Sequence, residues 1–342
     1  MIIFFKTQES KIMSVLLLLL LFVLLISFTL GRYGISVPDI INLFYCKITG
    51  NQSNYPPMVE SVLFKVRIPR VLTAILVGGA LAVSGAAYQG LFKNPMVSPD
   101  ILGASAGAGF GAAIGILFSF SAVAVQANAF IFGIIAVLLS YFISAAVSRG
   151  KDAILILVLT GMVVSALFSA FIALIKYVAD TDSKLPEITY WLMGRLSAAN
   201  INDVKMILPP LLIGIIPLIL LRWKLNVMVF GEEEARSMGI ETAKMRLVVI
   251  TSATLLTAAA VSVAGIVGWV GLVIPHLARM IAGPNYKILI PASFLLGSIF
   301  LLIVDNVARC LFTMEIPLGI LTAIIGAPFF IYLLMKRKKG WV

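Results

Sequence analysis

The sequence predicts an all-α polytopic membrane protein with about ten transmembrane helices. Hydrophobic residues make up 61% of the 342 residues and charged residues only 12%, whereas soluble domains carry roughly 25% charged residues. Apolar segments of about the 20 residues that a spanning helix needs recur along the chain. We therefore interpret residues 1–342 as a single transmembrane domain.

The predicted spans follow one another along the whole chain. They are residues 12–32, 66–92, 98–118, 124–147, 153–178, 204–222, 244–265, 268–282, 288–312 and 316–335. The first follows Lys6 and Lys11 as a signal peptide would, but no small-x-small cleavage site comes after it, so we interpret it as an uncleaved helix. The eighth is short and contains Gly271 and Pro275, which predicts a broken helix.

An even number of spans places both termini on one side of the membrane, and the cations indicate which side. With both ends inside, 16 of the 26 Lys and Arg residues fall in cytoplasmic segments. Cytoplasmic loops of membrane proteins carry an excess of these residues, so we expect both termini in the cytoplasm. The net charge of +11 is scattered among loops without interleaved aromatic residues, so membrane topology explains it better than nucleic-acid binding does.

A short polar segment, residues 225–240, separates the sixth and seventh spans. Gly231 can begin a helix there, and the glutamates at 232–234 place negative charge at the positive N-terminal end of that helix. The residues that follow leave a small, partly apolar surface, and Gly239 is a natural helix terminator. The residues alone fit a solvated connector and a contact surface for a soluble partner about equally well.

Three arginines near the predicted outer face are exceptions to the excess of Lys and Arg on the cytoplasmic side. Arg67 and Arg70 precede the bulk of the second span, and Arg309 lies near the end of the ninth. Their side chains would reach lipid headgroups, pair locally, or meet an acidic soluble partner. Asp305 lies four residues before Arg309, on the same helix face, which makes local pairing possible there.

Small residues predict close helix packing in the third span. Its glycines recur every fourth residue, at Gly103, Gly107, Gly111 and Gly115. Such a face lets another helix approach backbone to backbone. Residues 82–86 in the second span resemble residues 260–264 in the seventh, which is a weak sign of the inverted repeat that many transporters contain.

Several chemistries find no support in the sequence. The acids Asp100 and Asp305 lie near predicted span ends, whereas ion-coupled carriers place carboxylates deep in the membrane. The chain has no phosphate-binding P-loop motif and no arrangement that would make it an enzyme. His276 has no metal-type partner at a useful spacing, and Cys46 and Cys310 give no metal pattern. We expect this chain to bind no metal or cofactor of its own.

Six strings taken together resemble a known family. They occur in order at residues 66–80, 89–103, 190–194, 231–239, 268–279 and 317–328. The chain resembles the permeases of type II ATP-binding-cassette (ABC) importers, the FecCD-like family for iron-siderophore, heme and vitamin B12. The resemblance spans nearly the full length and is specific for the family, though not for the cargo.

The resemblance implies a homodimer of ten-helix subunits, with the pathway at the two-fold axis. Two cytoplasmic ATPase subunits would bind ATP and Mg²⁺, and an extracytoplasmic binding protein would deliver the cargo across a prokaryotic inner membrane. It implies three groups of site residues. The residues that would contact the ATPase lie in a coupling loop at about 223–243 and are Gly231, Glu232, Glu233, Ala235, Arg236, Met238, Gly239 and Ile240. The residues that would dock the binding protein are Arg67, Arg70 and Arg309. The residues of the inner gate would be Asn94, Pro95 and Met96.

The cargo is the least determined feature. Iron-siderophore is the expectation from its frequency in the family, while heme, cobalamin and molybdate or tungstate stay open. Residues 152–156, near the start of the fifth span, are more apolar than the vitamin B12 importer's gate, which disfavours cobalamin. Two other classes remain as alternatives: a secondary carrier or channel without an ATPase, and a membrane scaffold that recruits a cytoplasmic protein.

Overall fold

The computed structural model of the chain describes residues 2–31, 33–51, 55–148 and 153–336. Within these ranges the regular secondary structure is entirely helical, which confirms the all-α prediction. Lys151 and Asp152, which entered the predictions of topology and of the gate, lie outside the described residues. Cys46 and Cys310 are both unpaired.

The described ranges contain α-helices of very different lengths. In chain order they are α1 (Ile2–Thr29), α2 (Val37–Thr49), α3 (Pro57–Ser61), α4 (Ile68–Leu91), α5 (Ala104–Leu117), α6 (Ala122–Ser148), α7 (Ala153–Val178), α8 (Lys184–Leu192), α9 (Ile201–Leu220), α10 (Arg222–Met228), α11 (Glu232–Ser237), α12 (Thr242–Ala264), α13 (Val270–Ala282), α14 (Tyr286–Cys310) and α15 (Leu318–Lys336). A π-helical stretch, Val62–Arg67, joins α3 to α4, and a 3-10 turn, Pro99–Leu102, precedes α5.

Each predicted span corresponds to one of these helices. Among the described residues, seven helical segments are long and apolar enough to cross a membrane, and three shorter apolar helices begin at Ala104, Val270 and Leu318. Together they match the ten predicted spans. The third span starts later than predicted, because residues 99–102 form the 3-10 turn and Gly103, with φ +89°, joins that turn to α5.

The eighth span is not broken inside its helix as predicted. Gly271 and Pro275 both lie within the helical segment α13. The interruption lies just before it, at residues 265–269, which leave the helical conformation between α12 and α13. Gly271 is needed for packing instead, because a Cβ there would meet the Pro99 ring, with its Cδ at 2.6 Å, and Leu81 O of α4 at 2.9 Å.

Two helices outside the membrane spans, α2 and α8, were not predicted. Ser36 and Asp39 form a capping box at the start of α2, and Ile40 and Leu43 are buried. The hydrogen bond that the Ser36 hydroxyl donates to Asp39 lowers the pKa of that carboxyl. Helix α2 is thus a surface helix with one buried face.

Successive long helices alternate in direction, so their connections gather at two ends of the bundle. We call the end that carries residues 221–241 the proximal end, and the opposite end the distal end. The described start of α1 and the end of α15 both belong to the proximal end. At that end the Asn226 side chain donates a hydrogen bond to Asn285 Oδ1 at 2.9 Å, which joins α10 to the start of α14.

Helix α4 is the centre of the bundle, and every residue from Val77 to Leu91 is buried. It crosses α14 at two glycines, since a Cβ on Gly297 would lie 2.9 Å from the Gly78 carbonyl carbon. Against α12, the Ser84 and Thr257 hydroxyls lie 2.7 Å apart. Backbone contact and buried hydrogen bonds therefore both hold α4 in place.

The glycines of the third span lie at close helix contacts. A Cβ on Gly107 would meet Ala136 of α6 at 2.6 Å, and one on Gly111 would lie 2.8 Å from the carbonyl carbon of Asn128. Gly115 lies against Val125 of the same helix. Gly103 differs from the others, because it lies before α5 and a Cβ there would meet Ser165 of α7 at 3.1 Å.

Candidate functional site

The polar segment forms two short helices at the proximal end, α10 and α11. Gly231 is the residue before α11; its φ is +154°, and a Cβ there would strike the Glu234 side chain. At the other end, Gly239 N donates to Arg236 O and Ile240 N donates to Ala235 O, both at 2.9 Å. These two bonds, with Gly239 at φ +79°, form the Schellman motif that ends a helix.

Two apolar residues fix α11 to the bundle. Ala235 is fully buried and Ile240 is 5% exposed. Glu232 adds an electrostatic anchor, because it pairs with Arg246 of α12 and accepts a hydrogen bond from Arg236 at 3.5 Å. Arg236 also donates to the Thr242 hydroxyl at 3.2 Å. Helix α11 is therefore held against the start of α12.

Helix α10 is fixed to the start of α14 in the same way. Its Asn226 side chain donates to Asn285 and accepts from the Tyr286 backbone N–H at 2.8 Å. The Tyr286 hydroxyl in turn donates to Ala86 O of α4 at 3.0 Å. Helix α10 is therefore joined by hydrogen bonds to α14, and through Tyr286 to α4, the two helices that cross at the centre of the bundle.

The remaining surface of the polar segment is exposed and mixed in character. Phe230 is 78% exposed and Met238 57% exposed. Glu233 and Glu234 are exposed beside them. Large apolar side chains exposed next to carboxylates are typical of a protein contact surface. Met238 was among the predicted contact residues and Phe230 was not, although an aromatic residue inside a polar segment is a signal that the sequence contained.

The predicted gate residues form a tight turn at the proximal end. Asn94 Oδ1 accepts a hydrogen bond from Met96 N at 2.9 Å, and Asn94 O accepts one from Val97 N at 3.3 Å. Both Asn94 and Met96 are exposed, whereas Pro95 is half-buried. In the next turn, burial raises the pKa of Asp100, whose carboxylate accepts hydrogen bonds from Ser98 and Ser105.

The three predicted docking arginines are buried at the distal end, with exposures of 3% for Arg67 and 6% for Arg70 and Arg309. Arg70 pairs with two carboxylates, Asp305 at 2.8 Å and Glu315 at 2.9 Å. Arg309 lies 3.8 Å from Asp305. Local pairing, one of the three alternatives for these cations, is therefore what the structure shows for Arg70 and Arg309.

Arg67 differs from the other two because its partners are backbone carbonyls. It donates to Phe28 O at 2.5 Å and to Tyr33 O. Lys65, two residues earlier, is the exposed cation of this stretch. Glu315 was not predicted as a site residue, because it lies in the connection before α15, far in sequence from Arg70.

No group of three or more His, Cys, Asp and Glu residues with the geometry of a metal site occurs among the described residues. The buried Arg70, Arg309 and Asp305 form ion pairs, and the polar segment offers a contact surface. This arrangement fits a membrane protein that works through protein partners.

Residues 18–336 match the FecCD transport family. The chain belongs to the FecCD transport family. It is 41% identical to the molybdate import system permease protein MolB of Haemophilus influenzae, over 96% of this chain and 97% of that protein. It is 39% identical to a probable iron chelatin transport system permease of Helicobacter pylori, over 81% and 83%.

The fold agrees with this membership. A solved structure described as an inward-facing conformation of a metal-chelate type ABC transporter aligns with a TM-score of 0.85 and 40% identity, covering 96% of this chain and 99% of that one. As a FecCD protein the chain is a multi-pass permease component of a prokaryotic ABC importer, placed in the inner membrane. Membership decides against the secondary carrier and the scaffold, and the permease component is not itself catalytic.

Proposed function

We propose that the chain is the membrane-spanning subunit of a binding-protein-dependent importer in which α10 and α11 receive the movement of a cytoplasmic ATPase. The exposed Phe230 and Met238, on a segment fixed to the bundle on both sides, carry this proposal. The proximal end then faces the cytoplasm, with both termini. ATP and Mg²⁺ would bind to the partner, and this chain contributes the helices that move.

The contacts of the two short helices support a mechanical role. Helix α11 is joined to α12 through Glu232 and Arg246, and α10 is joined to α14 and α4 through Asn226 and Tyr286. A push on this surface therefore reaches α4, α12 and α14 together. Alternating access needs such a two-state bundle, biased by its partners. We assign the exposed turn at Asn94–Met96, which follows α4, to the inner gate of the pathway.

We propose that a second copy completes the pathway. Helix α7 buries a single stripe of residues, Leu157, Gly161, Val164, Phe168 and Ile175. Its other faces are exposed and apolar, as are Ile320, Ile324 and Ile325 of α15. A homodimer would cover part of these faces and lipid the rest.

We propose that the distal end receives the binding protein. Arg70 and Arg309 pair there with Asp305 and Glu315. Arg67, whose partners are backbone carbonyls, leaves one positive charge in excess, and exposed Lys65 adds another. An acidic lobe would be attracted to this end. Glu315, with 25% of its side chain exposed, is the carboxylate that an incoming acidic residue would displace from Arg70.

Two cargo classes are supported by different relatives. The full-length similarity to the molybdate permease favours an oxyanion such as molybdate or tungstate, and the iron chelatin relative favours a metal chelate such as an iron-siderophore. An uptake assay in proteoliposomes that contain the permease, its ATPase and its binding protein distinguishes the two cargo classes. Uptake of labelled molybdate that a ferric siderophore does not compete would establish the oxyanion; the opposite pattern would establish the chelate.

Removal of the two exposed apolar side chains tests the coupling surface. Apolar anchors at the centre of an interface contribute about 2 kcal/mol or more, so Phe230→Ser with Met238→Ser should weaken binding of the ATPase subunit by at least roughly tenfold. Phe118→Ser is the matched control, because Phe118 is 66% exposed at the distal end. Co-purification of the double variant at the wild-type level, with unchanged affinity, would refute the coupling role.

A further inference from the structure

A cavity of about 620 Å³ lies at the proximal end, between the end of α6, the start of α7, α11 and the start of α12. Its polar lining consists of Tyr141, Ser144, Ser148, Glu232, Arg236 and Arg246. The volume is in the range of ligand sites. Glu232 and Arg236, which also belong to the segment assigned to the ATPase, form one wall of this cavity, whereas Phe230 and Met238 do not line it.

The charges of this lining favour an anion. Among the described lining residues, two guanidinium groups face one carboxylate, which is a net charge of +1. Arg246 uses one nitrogen on Glu232, while its Nε is buried and has no hydrogen-bond partner among the described residues. The Arg246 side chain as a whole is 16% exposed and lines the cavity, so its guanidinium group is accessible to an anion there.

A narrow apolar groove of about 60 Å³ lies beside this cavity, on the side toward the middle of the bundle. It runs between α6 and α12, and Tyr141 lines both the cavity and the groove. The other lining residues are Ile134, Val137 and Leu138 on α6 and Leu247, Ile250, Thr251, Thr254 and Leu255 on α12. From Ala243 in the cavity to Leu255 in the groove, α12 rises roughly 18 Å, which is about the depth of one leaflet.

We infer that the cavity and groove together bind an anionic glycerophospholipid from the leaflet at the proximal end. The phosphate would accept hydrogen bonds from Arg246 and Arg236, and one acyl chain would lie along the groove between α6 and α12. Basic pockets between helices at a membrane face bind anionic headgroups in this way. A free anion would satisfy the arginines but leave the groove unused, and an apolar peptide would leave the excess positive charge of the described lining uncompensated. The lipid is the occupant that matches both parts.

Retention of defined lipids by the full-length protein tests this site. The protein is purified in detergent with equimolar phosphatidylglycerol and phosphatidylcholine, and the bound lipid is measured by native mass spectrometry. Wild type should prefer phosphatidylglycerol. Arg236→Gln and Arg246→Gln should each reduce that preference by about fivefold, the factor corresponding to about 1 kcal/mol per cation.

Matched controls separate the site from general charge and surface effects. Lys244→Gln removes a cation 78% exposed near the start of α12 but outside the cavity, so it should leave the preference unchanged. Thr251→Trp should block the groove and reduce retention of both lipids, whereas Ile213→Trp, at an exposed position on α9, should not. If Arg246→Gln fails to fold, Arg236→Gln alone tests the site, because Arg236 is 65% exposed and its substitution should leave the protein folded.

Two results would overturn the inference. One is an unchanged preference for phosphatidylglycerol in Arg236→Gln. The other is displacement of the lipid by millimolar glycerol 3-phosphate together with wild-type retention in Thr251→Trp, which would show that the cavity takes a free anion and that the groove has no part in binding.

Discussion

At the scale of single residues, buried charge dominates the distal end. Asp305 is 1% exposed and lies between Arg70 and Arg309, whereas Glu315 is 25% exposed and contacts Arg70 alone. The same type of side chain therefore has two different roles in one cluster. Asp305 compensates two buried cations, and Glu315 closes the cluster toward solvent.

This difference predicts unequal stability effects. Asp305→Asn leaves the buried Arg309 without a carboxylate and Arg70 with Glu315 alone, and loss of one partner of a buried ion pair costs about 3–5 kcal/mol. Glu315→Gln should cost about 1 kcal/mol or less because its partner keeps Asp305. Thermal unfolding of the detergent-purified protein measures both, with Glu60→Gln, at the exposed pair with Lys47, as the control. Equal losses in the two variants would contradict the assigned roles.

The sequence predicts which arginines are unusual at this end of the molecule, but it does not predict that they are buried. Arg67, Arg70 and Arg309 stood out because they run against the charge bias, and the spacing of Asp305 and Arg309 indicated a local pair. Their burial could not be predicted, since it depends on how α4 packs against α14 and on the connection that carries Glu315. Likewise, the pattern that indicates α11 does not show that Glu232 reaches Arg246, fourteen residues away.

At the scale of elements, hydropathy predicts the membrane helices well because each must present an apolar surface over its whole length. The hydropathy pattern does not predict helices and turns that do not cross the membrane. Helix α2 has only one buried face, and the 3-10 turn at residues 99–102 is followed by the left-handed Gly103. Small residues predicted close contacts in α5, but the identity of the partner helix, α6, follows only from the fold.

Glycine contacts between elements yield a second prediction. A Cβ on Gly297 would lie 2.6 Å from Ala82 Cβ and 2.9 Å from the Gly78 carbonyl carbon, so Gly297→Ala forces α14 away from α4. Overpacking of this kind costs about 1–3 kcal/mol. Gly268→Ala is the control, because a Cβ there would meet nothing within 4 Å. We expect a lower thermal unfolding temperature for the first variant only; similar temperatures would show that the helices separate without cost.

At the scale of the whole molecule, the alternating directions of the helices determine at which end of the bundle each proposed site lies. The polar segment, the turn at Asn94–Met96 and the lipid cavity share the proximal end, and the arginine cluster lies at the distal end. An importer needs the surface for its ATPase and the surface for its binding protein on opposite sides of the membrane. The separation of these two groups of residues is therefore a requirement of the proposed function as well as an outcome of the fold.

Orientation is the prediction on which this assignment depends. In a Cys46→Ser and Cys310→Ser background, Met238→Cys places a thiol on the polar segment, and Asp182→Cys places one in the turn before α8 at the distal end; both positions are exposed. A membrane-impermeant maleimide should label Asp182→Cys in spheroplasts and Met238→Cys only in inverted vesicles. Labelling of Met238→Cys from outside would put the proposed coupling surface on the wrong side, and an ATPase in the cytoplasm could not then drive α10 and α11. The lipid inference would survive that result, because its cavity lies at a membrane face in either orientation.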